Sequence, residues 1–458
     1  MTPRIVVLGG GVAGLSTALL LTRRGFPVTL VERDPEPPAD LADLAGWKRP
    51  GAPQVRQLHT FLGLFRTRLR EHLPDVHADL LAHGAEDISM ASPRAGAADG
   101  TADEALTVIA SRRGTVEWAL HRALAREPGA ELRYGTSVRR AESEGGRITG
   151  VHVRGGLLEA DVVIDAGGRR SPLAEDFTEA VGEVDCGVVY NTRFYQLLDG
   201  VERPPLHRGV TTMVAGSGFG AGLFYHDNRT FAIGIGRLPE DNALKALRET
   251  AAFDQAVAVF PEFAPWLAEG MSRPLDEVVP MAGLKNTFRR LTPETPLGYL
   301  PVGDALCTTD PAFGRGASVA LAEAVLVADT LQRAPEDLPG LAGALGEFAE
   351  RWLRPWYEDS VRADLGRTAL WEAEIAGADL PGLGAVAGGV NSFVLLEAGE
   401  HDQVLWEAAQ RHINLLDPAD SLERPELKER LDALLAAGWR PRPATGPAYG
   451  DVVAAVAG

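Results

Sequence analysis

Near the start of the chain, a run of glycines joins a strand-like segment to a helix-like one, and few folds accommodate that arrangement. Ile5-Val6-Val7-Leu8 is continuously apolar and mostly β-branched, the pattern of a strand buried on both faces of a parallel sheet. Gly9-Gly10-Gly11-Val12-Ala13-Gly14 follows with the spacing Gly-x-Gly-x-x-Gly. Ala13 to Arg24 reads as a helix, stopped by Gly25 in the position where helices commonly end. Val28-Thr29-Leu30-Val31 predicts a second strand. In such a βαβ unit the first glycine permits a tight turn, the second lets the backbone approach a pyrophosphate, and the third allows close helix–strand packing. The helix N-terminus adds free N–H groups and partial positive charge. Glu32, at the end of the second strand, is placed to accept hydrogen bonds from ribose hydroxyls, and its charge would repel a 2′-phosphate. Gly9, Gly11, Val12, Ala13, Gly14, Glu32 and Arg33 are therefore candidate contacts to a dinucleotide, FAD or NAD.

A second segment favours FAD. Leu300-Pro301-Val302-Gly303-Asp304-Ala305 reads as a strand with an acidic turn, and Asp310-Pro311-Ala312-Phe313-Gly314-Arg315-Gly316 as a loop opening a helix over Ala317 to Gln332. Asp304 suits a polyol such as the ribityl chain. The N-terminal amides near Gly314 to Ala317 can face the pyrimidine edge of a flavin and stabilise its anionic reduced form. An NAD dehydrogenase has no use for so distant a second element. Gly303, Asp304, Pro311, Gly314, Gly316 and Ala317 join the candidate cofactor contacts.

The rest of the chain supports two intimately packed domains, the default for 458 residues. Pro35 to Gln57 is a long Pro-rich loop of the kind that is usually functional or disordered. Leu58 to Leu73 and Val116 to Arg126 predict helices, and Ile148 to Val153 and Leu157 to Ala166 predict strands. Gly187 to Arg237 changes to β-type alternation with turn residues such as Asp227-Asn228, and predicts an antiparallel sheet. Ala243 to Gly270 reads as helical, as does most of the chain beyond Glu336. The expected fold is α/β, with α+β character overall. A Rossmann-like FAD-binding domain takes 1–175 and 291–335, a substrate domain on an antiparallel sheet takes 176–290, and a helical region takes 336–458 and covers the FAD domain or the pocket mouth.

Bulk properties exclude other classes. A formal net charge of −18 disfavours nucleic acid and anionic lipid as partners. Cys186 and Cys307 form no Cys-x-x-Cys, and the ten histidines no His-Glu-x-x-His, so neither a thiol redox centre nor a metal is expected. With no signal pattern and no apolar run of about 18 residues, a cytoplasmic protein outside the membrane is expected.

The motifs together resemble the FAD-dependent aromatic hydroxylases and their relatives, a family of the p-hydroxybenzoate hydroxylase fold. Gly9, Gly11, Gly14 and Glu32 match its first motif, and Gly303-Asp304 with Pro311, Gly314 and Gly316 its last. Arg113, Val116, Glu117 and Leu120 match its Arg-x-x-[Leu/Phe]-[Asp/Glu]-x-x-Leu, with valine a departure; the resemblance makes Arg113 an FAD contact. Asp165 to Ser171 matches only loosely the family's Asp-Gly-x-x-Ser. Gly51 to His59 is similar to bacterial secondary-metabolism flavoenzymes, which often carry His where this chain has Gln57.

The resemblance implies a monooxygenase that hydroxylates or epoxidises a small organic, secondary-metabolite substrate with O₂ through a flavin C4a-hydroperoxide. Electrons would come from NAD(P)H or an external flavin reductase. No protein nucleophile is needed, because the cofactor carries the hard step. By resemblance, Arg56 and His59 lie beside the flavin, His59 as a proton carrier; Arg315 is a candidate for the pocket wall. The alternatives are an FAD-dependent dehydrogenase or saturase and a halogenase. Halogenase relatives typically carry Trp-x-Trp and a tunnel lysine, whereas no two of the eight tryptophans here form Trp-x-Trp. Substrate and oligomeric state are not legible.

Overall fold

The structure, a computed structural model, describes residues 2–91, 104–378, 391–440 and 445–457. The apolar run becomes strand β1 (Ile5–Leu8), buried throughout, followed by helix α1 (Val12–Arg23) and strand β2 (Val28–Val31). Helices α2 (Gly63–His72) and α3 (Arg113–Leu124) and strands β3 (Ala130–Arg133) and β4 (Val162–Asp165) complete the first part. The expected helix from Leu58 begins only at Gly63. Before it Leu62 is extended and Phe61 bridges to Ile109. Leu157 to Ala166 splits into two strands, the second being β4.

The next stretch is antiparallel, as its alternation predicts. It comprises β5 (Thr178–Asp185), β6 (Val189–Leu197), β7 (Thr211–Ala215), β8 (Phe219–Tyr225), β9 (Thr230–Arg237) and β10 (Lys285–Leu291). The main sheet runs in the order β7-β8-β9-β6, with two short strands on the outer edge of β6. Ala243 to Gly270 breaks into three short helical pieces, Lys245–Arg248, Thr250–Ala258 and Ala264–Leu267, with Pro261 in the second break and Pro265 opening the last piece.

Strand β11 (Tyr299–Pro301) then returns to β4, and the first sheet, parallel at every pairing, has the order β11-β4-β1-β2-β3. Its register aligns Leu8, Asp165 and Pro301 in one row. Their next residues therefore emerge from the same sheet edge, although the outer two motifs lie some 290 residues apart in the sequence. Ligands of open parallel sheets bind at that carboxyl edge. Helices α4 (Gly316–Arg333), α5 (Arg354–Ile375) and α6 (Gln403–Ile413) follow.

One hydrophobic core joins both ends of the chain. Leu15 and Leu19 of α1 and Leu321 and Val327 of α4 share it with Leu341, Leu345, Leu353 and Trp356 from beyond residue 336. Burying each large apolar side chain is worth roughly 1.5–3 kcal/mol, so the C-terminal residues are part of the dinucleotide half's stability. The last helix, Tyr449–Ala457, lays Val452 and Val456 into the second core, behind the antiparallel sheet. Among the described residues no helix is long and apolar enough to cross a membrane.

Candidate functional site

The glycine loop is built as its spacing requires. Gly9 has φ +94°, and a Cβ there would lie 2.3 Å from the Ala166 carbonyl oxygen. A Cβ on Gly14 would lie 1.8 Å from the Gly9 oxygen, so only glycine lets α1 start so close to β1. A Cβ on Gly11 would be in van der Waals contact with an Arg113 Nη at 3.4 Å and with Glu117 at 3.7 Å. Val12 is buried at the start of α1, and Ala13 meets Gly303, whose would-be Cβ lies 3.0 Å away.

Glu32 is buried and accepts backbone hydrogen bonds from Gly10 at 2.5 Å and Asp34 at 2.7 Å. Arg33 is exposed. Arg113 donates from Nε to Glu117 at 2.8 Å. On the other side of Glu117 stands Arg49, which sequence reasoning missed. Its side chain is 2% exposed and lies 3.2 Å from Glu117, 3.5 Å from Glu32 and 3.6 Å from Asp34. Its Nη2 donates to the Gly10 oxygen at 3.2 Å, while Nε and Nη1 have no hydrogen-bond partner. Two arginines thus flank the glycine turn. The available signal was a basic pair, Lys48-Arg49, inside the Pro-rich loop.

The second segment converges on the same place. Gly303 donates its N–H to Glu323 at 2.5 Å, and burial pushes Glu323 up to about 8. Burial also raises Asp304, opposed by the nearby charges of Arg113 and Arg169. Pro311 opens a single 3-10 turn, Pro311–Phe313, and Gly314 takes φ +65°. Neither α1 nor α4 carries an acidic residue in its first turn or a side-chain cap at its N-terminus. Some helices away from the site have a side-chain cap, α6 from Asp402 and Leu338–Phe348 from Asp337. Free N–H groups at two helix ends, a cradle of essential glycines and unpartnered Arg49 nitrogens fit an anionic dinucleotide. Gly316 is exposed, Ala317 buried, and only Asp304 at 3.9 Å would neighbour a Cβ on Gly316.

His59 stacks on Phe61 at 4.4 Å between ring centres. His226, at the end of β8, donates from Nε2 to the His59 carbonyl oxygen at 3.1 Å. The Nδ1 atoms of both rings are buried without a partner. Burial, helped by the charge of Arg113, pushes His59 down to about 3; burial likewise pushes His226 down to about 4. Both imidazoles are therefore neutral at ordinary pH. The next residue, Asp227, forms the predicted turn but is fully buried. It accepts from Arg112 N at 2.6 Å, Arg112 Nη2 at 2.6 Å and Thr115 Oγ1 at 2.9 Å, capping α3 from the antiparallel sheet. Burial works to raise Asp227, and the Arg112 guanidinium overrides it and holds the carboxyl below its usual range. This tie sets the helix end that carries Arg113.

Two expected pocket residues sit differently. Arg56 is half exposed and pairs with Asp276 at 3.1 Å, which puts it on the surface. Arg315 turns away from the glycines that flank it. Its guanidinium is 4% exposed and is bound by Asp359 at 2.5 Å, Ser360 Oγ at 2.7 Å and the Trp356 carbonyl at 3.0 Å, all on α5. It cannot line the pocket while those bonds hold. Asp165 is structural, accepting from Ser171 Oγ at 2.5 Å, Gly167 N at 2.9 Å and Tyr299 OH at 2.7 Å.

Fold and glycine turn are those of a dinucleotide-binding domain, and the similarities to known proteins lie among flavin-dependent oxidoreductases. Residues 4–90 match the family model for FAD dependent oxidoreductases. Protein Rv3254 of Mycobacterium tuberculosis is 24% identical over 90% of this chain and 89% of its own length. The myxobacterial chondrochloren halogenase CndH, an FAD-dependent halogenase, superposes with a TM-score of 0.64 at 18% identity, over 98% of this chain and 99% of its own. PqsL, a probable FAD-dependent monooxygenase from Pseudomonas aeruginosa, gives 0.60 at 18% identity, over 82% and 98%. By fold, this chain stands with the FAD-dependent monooxygenases and halogenases.

Proposed function

We propose that the protein is a monooxygenase that places one oxygen atom from O₂ on a small organic substrate, with NAD(P)H or a separate flavin reductase as the electron source. FAD, when bound, supplies the redox chemistry and the activation of O₂. The chain supplies position and surroundings. Glu32, Arg49, Arg113 and the start of α1 suit the ribose and pyrophosphate; Asp304 and the start of α4 suit the ribityl chain and ring edge. The observation that carries the reading is the neutral His59–His226 pair, with two buried, unpartnered Nδ1 atoms, His59 feeling the charge of Arg113 and His226 that of Arg112. A neutral ring nitrogen there can accept a hydrogen bond from a substrate hydroxyl or amine and so orient it, while burial disfavours taking up its proton.

The halogenase reading has one observation in its favour. CndH matches nearly the whole chain, C-terminal region included, whereas PqsL matches 82%. Against it, all four lysines, Lys48, Lys245, Lys285 and Lys428, are exposed, so none enters a buried tunnel. PqsL has been crystallised with 2-aminobenzoylacetate. Amino- and hydroxy-substituted aromatic acids are therefore a first panel for this protein. Reaction under ¹⁸O₂ with NADH, NADPH or a reductase should give a product carrying one labelled oxygen. A halogenated product in the presence of bromide or chloride, or oxidised substrate without label, would overturn the reading.

A further inference from the structure

The loop before α4 is held from outside the dinucleotide half by a buried cluster. Asp310 Oδ1 accepts from the Tyr190 hydroxyl at 2.8 Å and from Ala312 N at 2.9 Å, and Asp310 N donates to Asn286 Oδ1 at 2.9 Å. On α5, Arg367 Nη1 lies 3.0 Å from Asp310 Oδ2 and 2.9 Å from Asp364 Oδ1. Asn286 Nδ2 donates to Asp364 Oδ2 at 2.7 Å, and Arg367 Nη2 to the Cys186 carbonyl at 2.5 Å. Both carboxyl groups are essentially unexposed, and they meet within hydrogen-bonding range. Their inner oxygens, Asp310 Oδ2 and Asp364 Oδ1, make no well-aligned hydrogen bond to the arginine.

The charges do not balance: two carboxylates face one guanidinium away from water. Cys186, Asp310 and Asp364 have ligand atoms within 4.8 Å of one another, the spacing of a metal site. Arg367 already takes the cation's place, touching both carboxylates. Two buried carboxyl groups in contact do not both ionise. One proton between them completes the balance and supplies the missing hydrogen bond.

We propose that Asp310 and Asp364 share one proton, that this proton latches the flavin-facing loop onto α5, and that its loss in alkaline solution loosens FAD. The inference rests on the FAD reading of the site. The groups facing the pair, among the described residues, are Arg367 from α5, Tyr190 from β6, Cys186 just before it and Asn286 from β10, and the charge of Arg315, at the start of α4, also acts on Asp364. Burial and the Asp310 charge push Asp364 up to about 8, against Arg367 and Asn286. Burial raises the Tyr190 hydroxyl and the Cys186 thiol further, so neither yields a proton first. A folded-state carboxyl raised this way contributes fully below its unfolded value near 4, and that contribution is lost as pH rises through about 8.

The test is the FAD dissociation constant of the holoprotein, read by flavin fluorescence between about pH 6 and about pH 9.5. Weakening of roughly tenfold, the equivalent of about one pKa unit of coupling, is expected across that range. Asp364→Asn, whose amide donates to Asp310 at every pH, should hold FAD near neutrality like the parent and show no alkaline weakening. Tyr190→Phe, which removes a hydrogen bond from Asp310, should move the inflection to higher pH. Parallel weakening in Asp364→Asn, an unmoved inflection in Tyr190→Phe, or flavin equally tight at every pH would each overturn the latch. A parent protein that binds no FAD even near neutrality would instead overturn the cofactor reading, and the latch with it.

Discussion

Two helix ends face the cofactor site, and they are built in opposite ways. The turn before α1 is fixed mainly by backbone: Gly9 and Gly14 pack so closely that nothing larger fits, and only Gly10 is tied to side chains outside it, Glu32 and Arg49. The loop before α4 is fixed almost entirely by side chains from elsewhere. Asp310 is held by Tyr190, Asn286 and Arg367, and Arg315 by Asp359 and Ser360, partners 24 to 120 residues away. The first end is rigid wherever its six residues fold. The second is only as well placed as α5 and the antiparallel sheet, which makes it the end that conditions or mutations far from the site can move.

The strongest break of this comparison is deletion from Gly343 onward. It removes Asp359, Ser360, Asp364 and Arg367 together with Leu345, Leu353 and Trp356 of the shared core, and the protein should be insoluble or flavin-poor. A well-behaved, fully flavinylated truncation would show that α4 needs no outside support. Gly14→Val comes next: with a Cβ 1.8 Å from a carbonyl oxygen, strand or helix must shift. A loss of about 3 kcal/mol or more is expected, read as a drop in Tm with or without flavin. Arg315→Met should cost about 1.5–3 kcal/mol by removing charge-assisted hydrogen bonds to Asp359, Ser360 and the Trp356 carbonyl, Asp359 keeping Arg362 at 3.2 Å. Part should return in Arg315→Met/Asp359→Leu, while the flavin-to-protein ratio stays low in both. Gly316→Ala sharpens the contrast, since nothing lies within 3.9 Å of its Cβ. The apoprotein should melt unchanged and the flavin bind more weakly; a drop in apoprotein Tm would mean the second end is as tightly built as the first.

This difference also decides what could be read from the sequence. A backbone-built turn is written in six consecutive residues, so the glycine spacing, α1 and the strand ending at Glu32 were legible. The return of Gly303-Asp304 to the first glycines was legible, because the segment has a use only beside them, whereas the pairing of β11 with β4 came only from the structure. The partners of Arg315 were not legible. Arginine next to flavin glycines reads as a pocket residue until α5 is seen beneath it, and nothing local to residue 315 specifies Asp359. Arg49 was hidden for a related reason: its role comes from three carboxylates at positions 32, 34 and 117, brought together only by the fold. Asp227 looked like an ordinary hairpin residue because its partners, Arg112 and Thr115, belong to the other half of the molecule.

The smallest expected effect lies on the acid side and separates the two ends again. The segment carrying His59 and Thr60 abuts Gly314, whose would-be Cβ lies 3.6 Å from the Thr60 oxygen, and His226 braces it from β8. Both histidines are neutral in the folded protein, at about 3 and about 4, while the unfolded chain takes up protons below about 6.5. Their contribution is therefore complete above about pH 6.5 and is lost as pH falls towards 4, by at most about 1.4 kcal/mol per pH unit for each ring. His226→Gln, which can still donate to the His59 carbonyl, should flatten the fall of Tm between about pH 6.5 and about pH 4.5 by one proton's share. Acid should also release flavin from the parent more readily than from this variant, because the charge arises against the α4 loop and leaves the glycine turn of α1 untouched. Equal acid slopes in the two proteins would mean that His226 is not the buried neutral group that braces the second helix end.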